Sequence, residues 1–210
     1  GKSNQNSVKL VNTIVAGNSV LYNNSDDGSP PSGGGIMFRG GELMIINSTI
    51  ADNGISSNAI YTDPNYDTPS GSAIYGEDWS QDGNAPQLTI FNSIIYGNTI
   101  VTNANDDPIT NHTQQIGIND WNSDGVYVYA SYSLFGGDDD LGGSEILLNL
   151  NPEFADSTYV LHERSPAIGA GFEESDEGYI IYAPTIDILG NARPGSGGGN
   201  PDLGAYEHEL

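Results

Sequence analysis

A nine-residue pattern centred on asparagine recurs along the chain, and this repeat constrains the fold more than any other feature. The copies are Leu10–Asn18, Ile45–Asn53, Ile90–Asn98 and, more weakly, Tyr129–Gly137. The central residues Asn12, Asn47 and Asn92 are 35 (47 − 12) and 45 (92 − 47) positions apart. Such a repeat indicates one small unit per copy, which buries its apolar face only by stacking on its neighbours.

Short apolar runs bounded by Gly, Asn and Asp predict strands and turns, and no stretch keeps a 3.6-residue period over three turns. A second apolar run precedes each later copy, and these runs are Gly35–Phe38, Ser72–Tyr75 and Gln115–Ile118. We therefore predict three short strands per repeat with a polar corner at Asn or Ser. This is the plan of an all-β, single-stranded parallel β-helix, a solenoid.

Stacking of the repeats predicts columns of like side chains about 4.8 Å apart per layer. Ile14 would lie over Thr49 or Ile50, and those residues over Ile94 or Ile95. The three central asparagines would form a structural ladder in which side-chain amides bond between neighbouring repeats.

The segments between copies are rich in Asn, Asp, Ser and Pro, which is typical of surface loops. The predicted loops are Ser19–Gly33, Gly54–Ser70, Thr99–Asn111 and the shorter Gly76–Pro86. Residues 1–137 are predicted to form the stacked repeats, and residues 138–210 the C-terminal coil and cap. No recognisable strand precedes the first copy, so we expect that repeat to stack on upstream coils of the same polypeptide.

The charge balance excludes several partners. Five basic residues face 28 acidic ones, for a formal net charge of −23. A nucleic-acid partner requires a basic surface, and an anionic membrane would repel this chain. The absence of cysteine excludes disulfides and cysteine-zinc sites. The start, Gly1–Asn4, is polar and has no signal peptide, so export would require an upstream signal.

Several short Gly-rich motifs follow one another in the C-terminal third. They are Asn151–Phe154, Ser165–Gly171, Asp187–Pro194 and Asp202–Glu207. With the Asn-centred copies and Tyr132–Gly137, this order resembles the end of the bacterial choice-of-anchor Q β-helix family. The resemblance implies a right-handed parallel β-helix in an exported protein, extracellular or on the cell surface, and it implies no single activity.

The C-terminal motifs are interpreted as structural. Arg193 is expected to pair with Asp187 or Asp202 and so brace the terminal coil as a clamp. Leu203, Ala205 and Tyr206 are expected to cover the apolar core at the open end of the stack, because a solenoid needs such a cap.

Enzymatic signatures of parallel β-helices are weak in this sequence. A lyase needs a base and cationic help for the enolate, but the repeats offer only Lys9 and Arg39. A pectinase-like hydrolase needs clustered carboxylates, yet the Gly-His-Gly and Arg-Ile-Lys signatures of those enzymes are absent. We therefore predict no catalytic residues.

Two kinds of ligand fit the loops. Calcium prefers oxygen ligands, and the run Asp138, Asp139 and Asp140 is the best candidate for a structural calcium site, although no cofactor is required. Aromatic side chains in loops stack on sugar rings, or else they pack the loops onto the stack. The candidates for carbohydrate contact are Tyr22, Trp79 and Trp121.

The leading hypothesis is a non-catalytic structural or interaction module of a secreted or cell-surface bacterial protein, which serves adhesion or display toward a polysaccharide or another surface ligand. One alternative is the C-terminal part of a polysaccharide-degrading enzyme, a lyase or glycoside hydrolase, with its catalytic coils upstream. Another is the subunit of a self-assembling extracellular filament.

Overall fold

The structure is a computed structural model that describes residues 6–22, 31–57, 69–78, 86–102, 109–112, 115–120, 127–137, 141–175 and 180–208. These residues form strands and turns, and no helix occurs among them. The strands are β1 (Ser7–Val11), β2 (Ile14–Ala16), β3 (Ser19–Tyr22), β4 (Ile36–Arg39), β5 (Glu42–Ile46), β6 (Thr49–Ala51), β7 (Gly54–Ser57), β8 (Ile74–Asp78), β9 (Gln87–Phe91), β10 (Ile94–Tyr96), β11 (Thr99–Thr102), β12 (Ile109–His112), β13 (Ile116–Asp120), β14 (Tyr127–Phe135), β15 (Gly142–Leu148), β16 (Glu174–Ser175) and β17 (Ile181–Tyr182).

Strands of successive repeats pair in parallel. One column runs β1-β5-β9-β14-β15, a second β2-β6-β10-β14, a third β3-β7-β11, and a fourth β4-β8-β13. Val11, Ile46 and Phe91 are register partners, so the three central asparagines occupy the same corner. The prediction of an all-β chain whose repeats stack through parallel strands is confirmed.

Each full repeat contains four strands rather than the predicted three. The additional strands, β3, β7 and β11, occupy the first residues of three predicted loops. In β7, Ile55 and Ser57 are buried while the residues between and before them are partly exposed. Because such a strand buries a single aliphatic side chain, its sequence is typical of a loop. The predicted loop at Gly76–Pro86 likewise begins inside β8.

The observed strand pairing between the third and fourth copies differs by one residue from the alignment of the two copies in sequence. That alignment places Ser131 at the corner, opposite Asn92, but the structure pairs Ser131 with Phe91. Tyr132 therefore occupies the corner. A slip of one residue reverses the face of every side chain in a strand, and the observed register directs Ala130 and Phe135 into the core.

Most buried apolar side chains of the described residues fall into three clusters. The largest lies between the strand columns and contains the stacked partners Ile50 and Ile95. The neighbouring column, in which Ile14 pairs with Thr49 and Thr49 with Ile94, faces the opposite way. Ile94 belongs to a second cluster outside the strand columns. The structure thus resolves the register that the sequence leaves open.

The C-terminal strap, which we define as residues 152–175 and 180–208, covers the flank of the stacked strands. Leu203 packs with Ile94 and Leu134, which belong to different repeats. The backbone N–H of Ala205 donates to Thr49 Oγ1 at 3.2 Å, one repeat earlier. The expected lid over the open end is therefore wrong. These residues lie along the side because the outward column of Ile94 and Leu134 is apolar and needs cover.

Candidate functional site

The three central asparagines form a backbone corner with left-handed φ values of 49°, 42° and 49° for Asn12, Asn47 and Asn92. Each backbone N–H donates to a carbonyl of the next repeat, at 3.0 to 3.3 Å. The corner continues at Tyr132 and Glu145, whose φ values are 46° and 52°. Asparagine tolerates this conformation better than most residues, which gives a backbone reason for the repeated Asn.

The asparagine side chains hold the C-terminal strap. Asn92 donates to Asn47 Oδ1 at 3.3 Å, which is one bond of the predicted ladder. The Nδ2 atoms of Asn12, Asn47 and Asn92 also donate to strap carbonyls, those of Ile186 (2.7 Å), Asp202 (3.1 Å) and Phe172 (2.7 Å). Asn92 Oδ1 accepts from the Phe172 N–H at 3.0 Å. The column therefore serves mainly as a docking site for the strap.

A second asparagine column, which sequence reasoning missed, lies at the end of each copy. Asn18 Nδ2 donates to Asn53 Oδ1, Asn53 Nδ2 to Asn98 Oδ1, and Asn98 Nδ2 to Gln115 Oε1, at 2.8 to 2.9 Å. Asn53 and Asn98 are buried. The sequence does contain a pattern from which this column could have been predicted, because asparagine ends each of the first three copies.

A buried ionic cluster lies within the strap. The Arg193 Nη1 atom is 3.3 Å from Glu207 Oε2, and the two side chains are 0% and 3% exposed. The guanidinium also donates to the carbonyls of Asp202, Gly204 and Ala205. The ion pair expected with Asp187 or Asp202 thus forms with Glu207. Glu207 lies only five residues beyond Asp202, so the sequence motif contained it unrecognised.

Asp187 and Asp202, the ion-pair partners predicted for Arg193, accept hydrogen bonds from backbone N–H groups instead. Asp187 Oδ1 accepts from the N–H groups of Leu189 and Asn191, both at 2.8 Å, and its Oδ2 accepts from Glu207 N at 3.0 Å. Asp202 accepts from Gly169 N at 2.7 Å and from His208 N at 2.6 Å. Buried carboxylates that accept several N–H bonds fix the path of the chain. Tyr206, the remaining predicted cap residue, is half-buried.

Burial and hydrogen bonds shift the pKa values of these carboxyl groups in opposite directions. Burial raises the pKa of Asp202 and of Glu207 above their ordinary values. Burial also acts to raise the pKa of Asp187, but hydrogen bonds from Glu207, Asn191 and Leu189 outweigh it and leave that pKa lowered. Burial lowers the pKa of Arg193, against the attraction of its acidic neighbours. One cation thus faces three buried carboxyl groups.

A cavity of about 210 Å³ adjoins this cluster. Asp202 and Glu207 contribute to its wall together with a Gly-rich turn at residues 195–199. Each oxygen of these carboxyl groups accepts a backbone N–H bond. Such oxygens are oriented for structure, whereas a general acid or base requires reach toward a substrate proton.

The predicted ligand sites lie largely outside the described residues. Asp138, Asp139 and Asp140 do so, as do Trp79 and Trp121. Tyr22 ends β3 and is half-buried. Within the described ranges, no group of three or more His, Cys, Asp or Glu side chains is arranged to hold a metal ion.

Comparison of the chain with protein-family models, curated proteins and solved structures found no match. Across the described parts of the chain, no helix has the length and apolarity needed to cross a membrane.

Proposed function

We propose that this chain is a right-handed parallel β-helix module of a secreted or cell-surface bacterial protein, related to the choice-of-anchor Q family. Its role is non-catalytic: it displays surface loops that adhere to a polysaccharide or another extracellular ligand. The parallel strand columns support the architecture, and the succession of C-terminal motifs supports the family.

One observation carries the non-catalytic proposal: the best buried constellation of charged groups is engaged in structural bonds. Arg193 binds Glu207 and three carbonyls, and Asp187 and Asp202 accept backbone N–H groups. These bonds join parts of the strap to each other, and the backbone carbonyl of Asp202 accepts a hydrogen bond from the side-chain amide of Asn47 on the stack. Replacing such a network by substrate contacts would leave buried polar groups unpaired, which is unfavourable.

Ligand binding is assigned to the loops. Aromatic residues there, Tyr22, Trp79 and Trp121, would stack on sugar rings. The Asp138–Asp140 segment would bind a structural calcium ion through carboxylate oxygens. The strong negative charge favours cations over anionic ligands.

A glycan array combined with a depolymerisation screen tests this proposal. The intact protein should bind at least one neutral or cation-bridged polysaccharide and produce neither new reducing ends nor unsaturated uronates, with or without chelator. Tyr22→Ala, Trp79→Ala and Trp121→Ala should weaken binding. Tyr182→Ala is the matched control, because Tyr182 is a 65% exposed tyrosine on the strap. Shortening of any polysaccharide chain would contradict the non-catalytic role, and absence of all binding would contradict adhesion.

A further inference from the structure

Among the described residues, nothing covers one face of the first repeat, which is formed by the edges of β1, β2 and β3 that point away from the second repeat. No described strand pairs with those edges. The inward side chains Leu10 and Val15 remain partly exposed there, although their partners Ile45 and Ile50 are fully buried. We call this surface the first-repeat face. It combines partly exposed core side chains with a row of backbone hydrogen-bonding groups.

In the second asparagine column, Asn18–Asn53–Asn98, the hydrogen bonds all run in one direction. This direction shows which hydrogen-bond donor the first-repeat face lacks. Asn53 Oδ1 accepts both the backbone N–H and the Nδ2 of Asn18, at 3.1 and 2.9 Å. Asn98 Oδ1 accepts the same two donors of Asn53, at 3.0 and 2.9 Å. Each asparagine therefore accepts from the preceding repeat and donates to the following one. At Asn18 the described residues supply no such donor to Oδ1.

A hydroxyl column shows the same direction. Ser48 Oγ accepts from Thr13 N, Ser93 Oγ from Ser48 N, and Ser133 Oγ from Ser93 N, each at 3.1 Å. Each of these serines also donates to the carbonyl two residues before it. Thr13 Oγ1 makes that local bond too, to Val11 O at 3.0 Å. Its hydroxyl therefore has the orientation that accepts an N–H from a preceding repeat.

We propose that the first-repeat face docks a parallel β segment that carries this chain's own repeat pattern. The segment has an apolar residue before Asn-Ser or Asn-Thr, an inward aliphatic residue two positions after the hydroxyl residue, and a second Asn six positions after the first. Its second Asn donates to Asn18 Oδ1, its hydroxyl residue donates N–H to Thr13 Oγ1, and its aliphatic residues cover Leu10 and Val15. This inference rests on the stacked-repeat architecture of the proposed function.

A second copy of the chain is a poorer occupant. In the last paired strand, β15, Glu145 and Ile146 stand opposite Tyr132 and Ser133 and so occupy the positions of Asn and Ser in the pattern. Each further copy also adds a formal charge of −23, and like charges repel when two copies approach. A short segment with the repeat pattern offers Asn and Ser at these positions and carries far less charge, since residues 42–57 contain only the acidic residues Glu42 and Asp52.

The test uses the 210-residue protein and a fluorescent peptide with the sequence of residues 42–57. We expect saturable binding by anisotropy and slower amide exchange in β1–β3. A peptide with Asn53→Leu should bind roughly tenfold more weakly, because it leaves the Asn18 acceptor buried without a donor. The protein variant Asn18→Leu should weaken binding to a similar extent. Asn18 is exposed, and an unchanged melting temperature would show that this variant folds.

Three results would overturn the inference: no binding of the unmodified peptide, equal binding of the two peptides, or protection at β15 instead of β1–β3. Sedimentation that shows head-to-tail association of the protein itself would assign the face to a second copy and also overturn it. In the glycan screen, Trp79→Ala and Trp121→Ala change residues outside β1–β3, and the native protein is tested without the peptide. Loss of peptide binding with intact glycan binding would therefore refute this inference alone.

Discussion

The environment of a charged side chain decides its contribution to stability, and the strap offers two contrasting arginines. Arg193 is fully buried against Glu207. The Arg164 side chain is 78% exposed, and its Nε lies 4.0 Å from Glu163 Oε1. Exposed pairs at such distances contribute little, whereas breaking a buried pair leaves an uncompensated charge.

We therefore predict that Arg193→Leu lowers the free energy of unfolding by about 3–5 kcal/mol. The matched variant Arg164→Leu should change it by less than about 0.5 kcal/mol. Urea denaturation followed by circular dichroism measures both. Equal small effects would mean that the buried pair does not hold the strap.

The carboxyl pKa values predict a pH dependence whose sign differs between residues. Asp202 has a raised pKa in the folded state, so its stabilising contribution is complete below its unfolded pKa of about 3.9 and is lost as the pH rises through the folded value. Asp187 has a lowered pKa, so its contribution is present above about pH 3.9 and is lost as the pH falls through the folded value.

Accordingly, Asp202→Asn should reduce the loss of stability that accompanies a pH increase above about 4, relative to the native chain. Asp187→Asn should reduce the loss on acidification below about pH 4. Urea denaturation from pH 3 to 8 compares the slopes, which are independent of any constant offset that each substitution introduces. Parallel curves for all three proteins would refute the assignment.

At the scale of elements, strand β10 contributes side chains to two separate apolar clusters. In β10, Ile95 packs between the strand columns and Ile94 packs under the strap, and both are 0% exposed. Ile94→Ala and Ile95→Ala should each lower stability by about 2–5 kcal/mol. Hydrogen exchange should separate them: Ile94→Ala should accelerate exchange in the strap first, and Ile95→Ala in β6, β10 and β14. Identical exchange patterns would contradict a laterally docked strap.

The strap approaches the stack closely at Gly204, where a Cβ atom would lie 2.8 Å from Thr49 Oγ1 and 2.9 Å from Ile94 Cδ1. Gly190 has nearly the same φ, 89° against 88°, and open space around it. Gly190→Ala should therefore lower the free energy of unfolding by only about 1–2 kcal/mol, the penalty for placing a residue with a Cβ atom in the left-handed backbone region. Gly204→Ala should cost about 1–3 kcal/mol more, because the added methyl overpacks the contact. Thermal denaturation of both variants measures the difference, and equal losses would contradict it.

At the scale of the whole molecule, a net charge of −23 favours expansion through self-repulsion. Raising NaCl from 10 mM to 0.5 M should increase the melting temperature, because the Debye length falls from about 30 Å to less than 8 Å. At matched ionic strength, calcium chloride should stabilise further if the Asp138–Asp140 segment binds calcium. Asp139→Asn should remove that extra increment and retain the NaCl effect. Equal effects of the two salts would leave screening as the whole explanation and refute the calcium proposal.

Local sequence predicted those parts of the fold that repeat. The Asn-centred copies placed Asn12, Asn47 and Asn92 at one corner because each copy carries the same turn residue between apolar runs. The additional strand β7 was not predictable in this way, since it buries little besides Ile55 and Ser57. The register of the fourth copy was ambiguous by one residue, and packing of the core resolved it.

The sequence by itself determined the stacked parallel architecture, because a recurrent strand-and-turn pattern can bury its apolar residues only against copies of itself. It also marked Arg193, Asp187 and Asp202 as structural. Only the tertiary structure decided that the strap lies on the flank, that Glu207 pairs with Arg193, and that the asparagine amides bind strap carbonyls. These contacts join residues up to 174 positions apart, between Asn12 and Ile186, and depend on which face of each strand is left uncovered, which no local pattern encodes.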